Sequence, residues 1–235
     1  MTWITWALIS LAQEDLVARL ASSDPEVRAA AEAGLKALET KRLDDLIAIR
    51  ERTEDVEVRA RLDGILRHLQ RRKSGELYEQ ADVPGALKAL ANAEGEDRTA
   101  QAVAKFRELL PERSEDFSAG GNSLTGGAAA DLLPKLEPLL PWIYPELVRR
   151  LGGRAELSGN ASTILRQMGT RAAPALCWAL RSASPAAQVQ ACLLLEKHVT
   201  ASSLVLETLK VATQAGNADV RRHAEQALRR LELLK

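Results

Sequence analysis

Apolar and polar positions alternate along this chain with the period of an α-helix. In the stretch SSDPEVRAAAEAGLKAL (22–38), the apolar side chains of Val27, Leu35 and Leu38 fall on one helical face. Runs of β-branched residues with period-two alternation, which indicate strands, are nearly absent. The pattern therefore predicts an all-α protein. Weaker copies of the first stretch lie at residues 53–69 and 216–231.

A Val-Arg dipeptide marks the same point in each copy, and a degenerate fourth copy has Val-Gln there. The four places are Val27-Arg28, Val58-Arg59, Val189-Gln190 and Val220-Arg221. The first two places are 31 positions apart, and so are the last two. A fixed period in this range is typical of stacked helical repeats.

A helix-capping side chain stands three positions before the valine in three of the copies. These residues are Asp24, Asp55 and Asn217. Each can accept hydrogen bonds from the free N–H groups of the first helical turn, so each predicts a helix start. In the fourth copy Ala186 stands at that position, and Ser184-Pro185 is expected to cap the helix earlier in the chain instead.

A shorter apolar segment precedes each copy, so each unit predicts a helix, a turn and a second helix. The pattern D-x-x-V-R-x-x-A followed by Leu, with MGTRAAPALCWAL (168–180) between units, resembles the HEAT-like repeat family in its short bacterial form, which phycobilin lyases share. The resemblance covers residues 14–69 and 160–233. It implies an α-solenoid of roughly six stacked antiparallel helix pairs. It also implies scaffold roles for Arg28, Arg59 and Arg221, as arginines that bond to acidic or carbonyl partners.

The chain is expected to have four parts. Residues 1–13 are an apolar segment, interpreted as a first helix in a cytoplasmic protein or as the remnant of a signal peptide in an exported one. Residues 14–110 and 130–235 hold the N-terminal and C-terminal repeats, and 84–110 can form a degenerate helix pair. Residues 111–129 are rich in Gly and Ser and predict a loop at a domain boundary.

The segment after that loop contains four prolines and two aromatic residues. Because each proline removes a backbone donor, we expect short helices and turns rather than one straight helix. The prolines are Pro134, Pro138, Pro141 and Pro145. Trp142 and Tyr144 either pack the two halves together or form a partly exposed anchor for a partner protein. In the second interpretation, Arg149, Arg150 and Arg154 supply a polar rim.

Charge and composition favour protein binding over nucleic-acid binding. Thirty-two basic residues balance 32 acidic ones, whereas a dedicated nucleic-acid binder usually carries a positive excess. One basic cluster could still meet phosphates, as in DNA glycosylases built from HEAT-like repeats, which is the alternative function. It consists of Arg59, Arg61, Arg67, Arg71, Arg72 and Lys73.

The residues of common catalytic and metal sites are not arranged in their usual spacings. Cys177 and Cys192 lie in apolar helical runs and are interpreted as buried hydrophobic residues. His68, His198 and His223 are interpreted as lone surface histidines, since no metal-binding spacing joins them. We expect no catalytic residue, metal or cofactor. The predicted function is a non-enzymatic scaffold or adaptor that binds another protein.

Overall fold

The structure is a computed structural model that describes residues 13–110, 124 and 126–233. Within these ranges the regular structure is helical and no strand occurs, so the predicted all-α class is confirmed. Residues 1–12 and most of the predicted loop, 111–123, lie outside the described residues.

The helices follow one another with short connections. The α-helices are α1 (13–19), α2 (Pro25–Lys36), α3 (Leu43–Arg52), α4 (Val56–Glu79), α5 (Val83–Glu94), α6 (Asp97–Leu109), α7 (Gly126–Leu136), α8 (Leu140–Leu151), α9 (Ala155–Met168), α10 (Ala173–Ser182), α11 (Pro185–His198), α12 (Ser203–Ala212) and α13 (Ala218–Glu232). Short 3₁₀ helices occupy Thr40–Arg42, Glu137–Leu139 and Gly169–Ala172. The helix pair expected over 84–110 is present as α5 and α6.

The chain divides into two compact units, but not at the predicted boundary. Among the described residues, the first unit contains 13–75 and 88–95, and the second contains 76–87, 96–110, 124 and 126–233. The boundary expected over 111–129 is wrong because α6, which precedes it, packs against α8, which follows it. The predicted loop also ends early, since α7 begins at Gly126.

Apolar side chains from α2, α3 and α4 form the core of the first unit. Leu35, Leu46, Leu62 and Ile65 are fully buried there. Leu20, at the end of α1, packs into the same cluster. In α2 the buried face begins at Ala31, one turn after the partly exposed Val27.

In the second unit, each helix contacts the helix two places further along the chain. Thus α6 contacts α8, α8 contacts α10, and α10 contacts α12. In the same way α7 contacts α9, α9 contacts α11, and α11 contacts α13. Helices that follow one another also touch, as α10 with α11 and α12 with α13. Each apolar face is therefore buried by neighbouring helices in more than one direction.

The three predicted N-caps are confirmed. Asp24 accepts a hydrogen bond from Glu26 N at 2.8 Å, and Asp55 accepts from Glu57 N at 2.8 Å. Asn217 accepts from Asp219 N at 2.9 Å. A side chain of this kind satisfies backbone donors that have no partner within the helix.

Each arginine of the Val-Arg pairs donates back to the turn before its own helix. Arg28 Nη1 lies 2.7 Å from Ser22 O, Arg59 Nε lies 3.0 Å from Thr53 O, and Arg221 Nη1 lies 2.7 Å from Ala215 O. In all three copies the acceptor is the sixth residue before the arginine. These bonds tie the incoming turn to the first turn of the second helix.

The fourth copy has a different register from the one that we predicted. Ser184 is the N-cap of α11 and accepts from Ala187 N, so Ala187 takes the place of the valine. Ala187 is buried, whereas Val189 is half-buried. The matching spacing of 31 in this half is therefore a coincidence, because the caps Ser184 and Asn217 are 33 positions apart.

The proline-rich segment is divided at one proline only. Pro138 lies in the 3₁₀ helix between α7 and α8, as expected for a residue that interrupts a helix. Pro134 and Pro145 lie inside α7 and α8, against the expectation of turns there. Pro141 occupies the start of α8, where a missing N–H costs little.

Gly152 allows the end of α8 to approach the start of α11. A Cβ atom at Gly152 would lie 2.3 Å from Ser184 Oγ and 3.2 Å from the Cβ of Ala187. At Gly64, inside α4, an added Cβ would meet nothing within 4 Å.

We expect Gly152→Ala to destabilise the protein by about 1–2 kcal/mol, because the Ser184 hydroxyl must turn away and lose its capping bond. The matched control Gly64→Ala should stabilise it by about 0.5–1 kcal/mol, since alanine is the better helix former. Urea unfolding followed by circular dichroism measures both. Equal stability of Gly152→Ala and the wild type would contradict the close approach.

Candidate functional site

The aromatic residues proposed as an exposed anchor are buried. Trp142 is 5% exposed and Tyr144 is 7% exposed. Helix α8, which carries both, contacts α6, α9, α10 and α11, so little of its circumference faces solvent. The expectation of a partly exposed anchor is wrong for these two side chains, and their burial agrees with the packing interpretation.

Tyr144 packs against a second tyrosine that sequence reasoning did not single out. The rings of Tyr78 and Tyr144 are stacked with centroids 4.4 Å apart. The Tyr78 hydroxyl donates to Arg171 O at 3.0 Å, and Arg171 pairs with Glu137 at 2.8 Å. Burial raises the pKa of both phenols, so they stay neutral and act as packing groups.

Arg150 is fully buried and therefore cannot belong to an exposed polar rim. Its Nη1 donates to Leu110 O at 2.7 Å, and its Nε lies 3.2 Å from Glu146 Oε1. The guanidinium also lies over the ring of Phe106, 4.5 Å from the centroid. A buried cation needs such partners because it has lost its hydration. Arg150 thus joins α8 to the end of α6.

Glu146 accepts hydrogen bonds from two arginines, and a third, Arg107, lies 3.9 Å from it. Arg149 approaches it with two nitrogens, at 2.8 and 2.7 Å, while Arg150 approaches from the buried side. Hydrogen bonds from Arg149 are the main reason that the pKa of Glu146 falls to about 2, since they outweigh the effect of its burial. Arg149 itself remains half-exposed, and Arg154 is exposed at the start of α9.

The basic cluster of the first unit is largely engaged within that unit. Arg61 pairs with Glu57 at 2.5 Å, and Arg71 pairs with Glu94 at 2.6 Å. Arg72 donates to the carbonyls of Lys36 and Leu38 at the end of α2. Arg59 and Arg67 also donate to backbone carbonyls, those of Thr53 and Asp63. These contacts engage at least one donor of each of the five arginines.

An open groove of about 650 Å³ lies in the second unit, where α9, α11 and α13 begin. Ala155, Pro185 and Asn217 bring the three helix starts to its wall, and Leu151 lines it from the end of α8. Gly152 and Ser184 meet beside it, so the close approach of α8 and α11 shapes this region.

The lining of the groove is part apolar and part polar. Val189 and Leu151 supply apolar surface, while Gln190 supplies an amide. The Ser158 hydroxyl donates to Leu151 O at 2.8 Å, and Arg222 pairs with Asp219 at 3.0 Å. The groove is therefore suited to a ligand that offers both apolar side chains and backbone hydrogen-bonding groups.

Sequence reasoning missed this groove. The signal along the chain is the presence of small residues at the relevant helix starts, namely Gly153, Ala155 and Ala186. Small side chains leave space only when neighbouring helices frame it, which the chain order does not reveal. Of the predicted site residues, Arg154 lies between two lining residues, while Trp142, Tyr144 and Arg150 are buried elsewhere in the unit.

The cysteines and histidines form no metal site in the described part of the chain. Cys177 and Cys192 are free and fully buried, and burial raises their thiol pKa values to about 11 and about 12. They are buried hydrophobic residues, as predicted. No group of three or more metal-binding side chains comes together among these residues.

No family model, curated protein or solved structure matches this chain. The resemblance to HEAT-like repeats rests on the sequence pattern D-x-x-V-R-x-x-A and the leucines that follow it. None of the helices within the described ranges combines the length and hydrophobicity that crossing a membrane requires.

Removing the buried arginine should cost far more stability than removing its exposed neighbour. We expect Arg150→Ala to destabilise the protein by about 3–5 kcal/mol, because it leaves Glu146 and the Leu110 carbonyl without a buried donor. Arg149→Ala should cost about 1 kcal/mol or less, since the side chain is half-exposed and solvent screens its ion pair. Urea unfolding measures both, and equal costs would contradict the buried role of Arg150.

The lowered pKa of Glu146 should make stability depend on acidity. Its ion pairs contribute stability above the pKa of an unfolded glutamate, near ~4.3, and that contribution disappears as the pH falls towards about 2. Glu146→Gln should therefore lose less stability between pH ~5 and pH ~2 than the wild type does. Glu207→Gln, which removes an exposed carboxylate on α12, is the matched control and should keep the wild-type slope.

Proposed function

We propose that this chain is a protein-interaction scaffold built as an α-solenoid of HEAT-like helix pairs. In three copies of the repeat, an N-cap side chain stands at the same position. In the same three copies, an arginine donates to the carbonyl of the sixth residue before it. In the second unit, contacts between every second helix are the pattern that stacked pairs produce. Stacked pairs present extended surfaces, which such proteins use for binding.

The groove at the starts of α9, α11 and α13 is the observation that carries this function. Its volume of about 650 Å³ is enough for several side chains of a partner. The serine and acidic groups of its wall are already bonded to Leu151 O and Arg222, so they act as fixed polar contacts. We therefore assign the groove to an extended segment of another protein.

Binding of nucleic acid through the basic cluster is not what we propose. Most of its arginines hold turns or carboxylates of their own unit, as Arg72 holds the end of α2. Moving them onto phosphates would give up those contacts. The cluster is better explained as part of the fold.

A bulky charged residue in the groove should weaken binding of partner segments. The probe is a library of twelve-residue peptides selected against the full chain, followed by calorimetry with the selected peptides. Val189→Arg fills the groove, so we expect affinity to fall at least about 10-fold, or ~1.4 kcal/mol. Val211→Arg is the matched control, because Val211 is 70% exposed on α12 and does not line the groove.

Two results would contradict the proposal. One is selection of peptides whose affinity is the same for the wild type and Val189→Arg. The other is that the library yields no peptide that binds the chain.

A further inference from the structure

A positively charged surface lies at the ends of α9, α11 and α13 that are opposite the groove. Arg166 is in the last turn of α9, Lys197 and His198 end α11, and Arg230 is in the last turn of α13. All four side chains are exposed, and we call them the His198 patch. Burial lowers the pKa of His198, and the nearby charges of Arg166, Lys197 and Arg230 lower it further.

The His198 patch has more positive than negative charge. Glu196 is 6% exposed, lies 3.5 Å from Arg230 Nη1 and accepts from Gln226 at 3.2 Å. It offsets one cation and orients that side chain. Arg166 and Lys197 form no ion pair within the described residues, so their charges are available to a ligand.

The groove and the His198 patch are joined along the helices. On α11, Gln190 lines the groove and Leu193 and Lys197 follow on the same face, at helical spacing. On α13, Arg222 lines the groove and Arg230 lies two turns further along the same face. Val189 in the groove and Lys197 in the patch are eight positions apart on α11, so about 12 Å separates them along the helix. An extended peptide covers that distance with about four residues.

We propose that the bound partner segment runs from the groove along α11 and places acidic side chains on the His198 patch. This inference rests on the proposed function, because the groove holds the other end of the segment. Unpaired positive charge is offered at the patch, whereas the two charged groups of the groove, Asp219 and Arg222, are paired with each other. A nucleic acid carries a phosphate at every residue and would leave most of its charges unpaired there, whereas an acidic peptide matches the path.

The test uses the same library of twelve-residue peptides on the full chain, with charge reversal in the patch. We expect selected peptides to carry Asp or Glu about four residues from their apolar residues, which is the length of the path. Arg166→Glu combined with Lys197→Glu should weaken these peptides about 10-fold, because two attractions become repulsions. Lys210→Glu reverses an exposed charge on α12 and is the matched control, which should leave affinity unchanged.

The pKa of His198 is a readout that a general change in the stability of the fold would not shift. Carboxylates placed on the patch favour the protonated imidazole, so binding should raise the pKa of His198, measured by NMR titration. Arg166, Lys197 and Arg230 lower that pKa in the free protein, and the acidic peptide opposes them. A pKa that stays constant on binding would contradict acidic contacts at the patch.

The remaining outcomes separate this inference from the proposed function. Peptides that lose affinity in Val189→Arg but show no preference for acidic residues would overturn the inference and leave the groove as the binding site. Acidic peptides that ignore Val189→Arg would overturn both the groove and the continuous path. A twelve-nucleotide oligothymidylate that competes as well as the acidic peptides would overturn the assignment to protein.

Discussion

The guanidinium of Arg150 is the interaction on which the arrangement of the second unit depends. A fully buried cation needs acceptors or an aromatic face in place of its lost hydration. Here those partners are Glu146 on its own helix and Leu110 and Phe106 on α6. The requirement holds α6 against α8 although the predicted loop separates them in the chain. It also explains why the chain does not divide at that loop.

Burial of α8 decides which residues are left for binding. Because α8 contacts four other helices, Trp142 and Tyr144 pack inside the unit and contribute to its stability. The two surfaces that we propose for binding lie at the two ends of α9, α11 and α13. One end forms the groove, and the other carries the His198 patch. Both proposed surfaces are made by several helix ends together and by no single motif.

The repeated turn has a simple physical basis. A side-chain oxygen at the N-cap accepts from the first helical turn, and an arginine four positions later donates back to the carbonyl of the incoming turn. Two side chains at a fixed spacing therefore satisfy backbone N–H groups of the first helical turn and carbonyl groups of the preceding turn, which would otherwise lack a partner in the chain. The same arrangement occurs at Arg59 and Arg221, so these arginines serve the fold and are not available as ligand-binding groups.

Local rules were enough to predict the helices, the caps at Asp24, Asp55 and Asn217, and the burial of the two cysteines. Each depends on hydrogen bonds or periodicity within a few positions of the chain. The burial of Arg150 could not be predicted in this way, because its acceptor Leu110 lies 40 positions earlier. The same holds for the register of α11, since the sequence alone offers both Val189 and Ala187 as the first buried residue. The packing of α11 against its neighbours determines that Ala187 is the first buried residue of this helix. The groove, too, exists only once α8, α9, α11 and α13 meet, because an open space belongs to the helices around it and to no single segment.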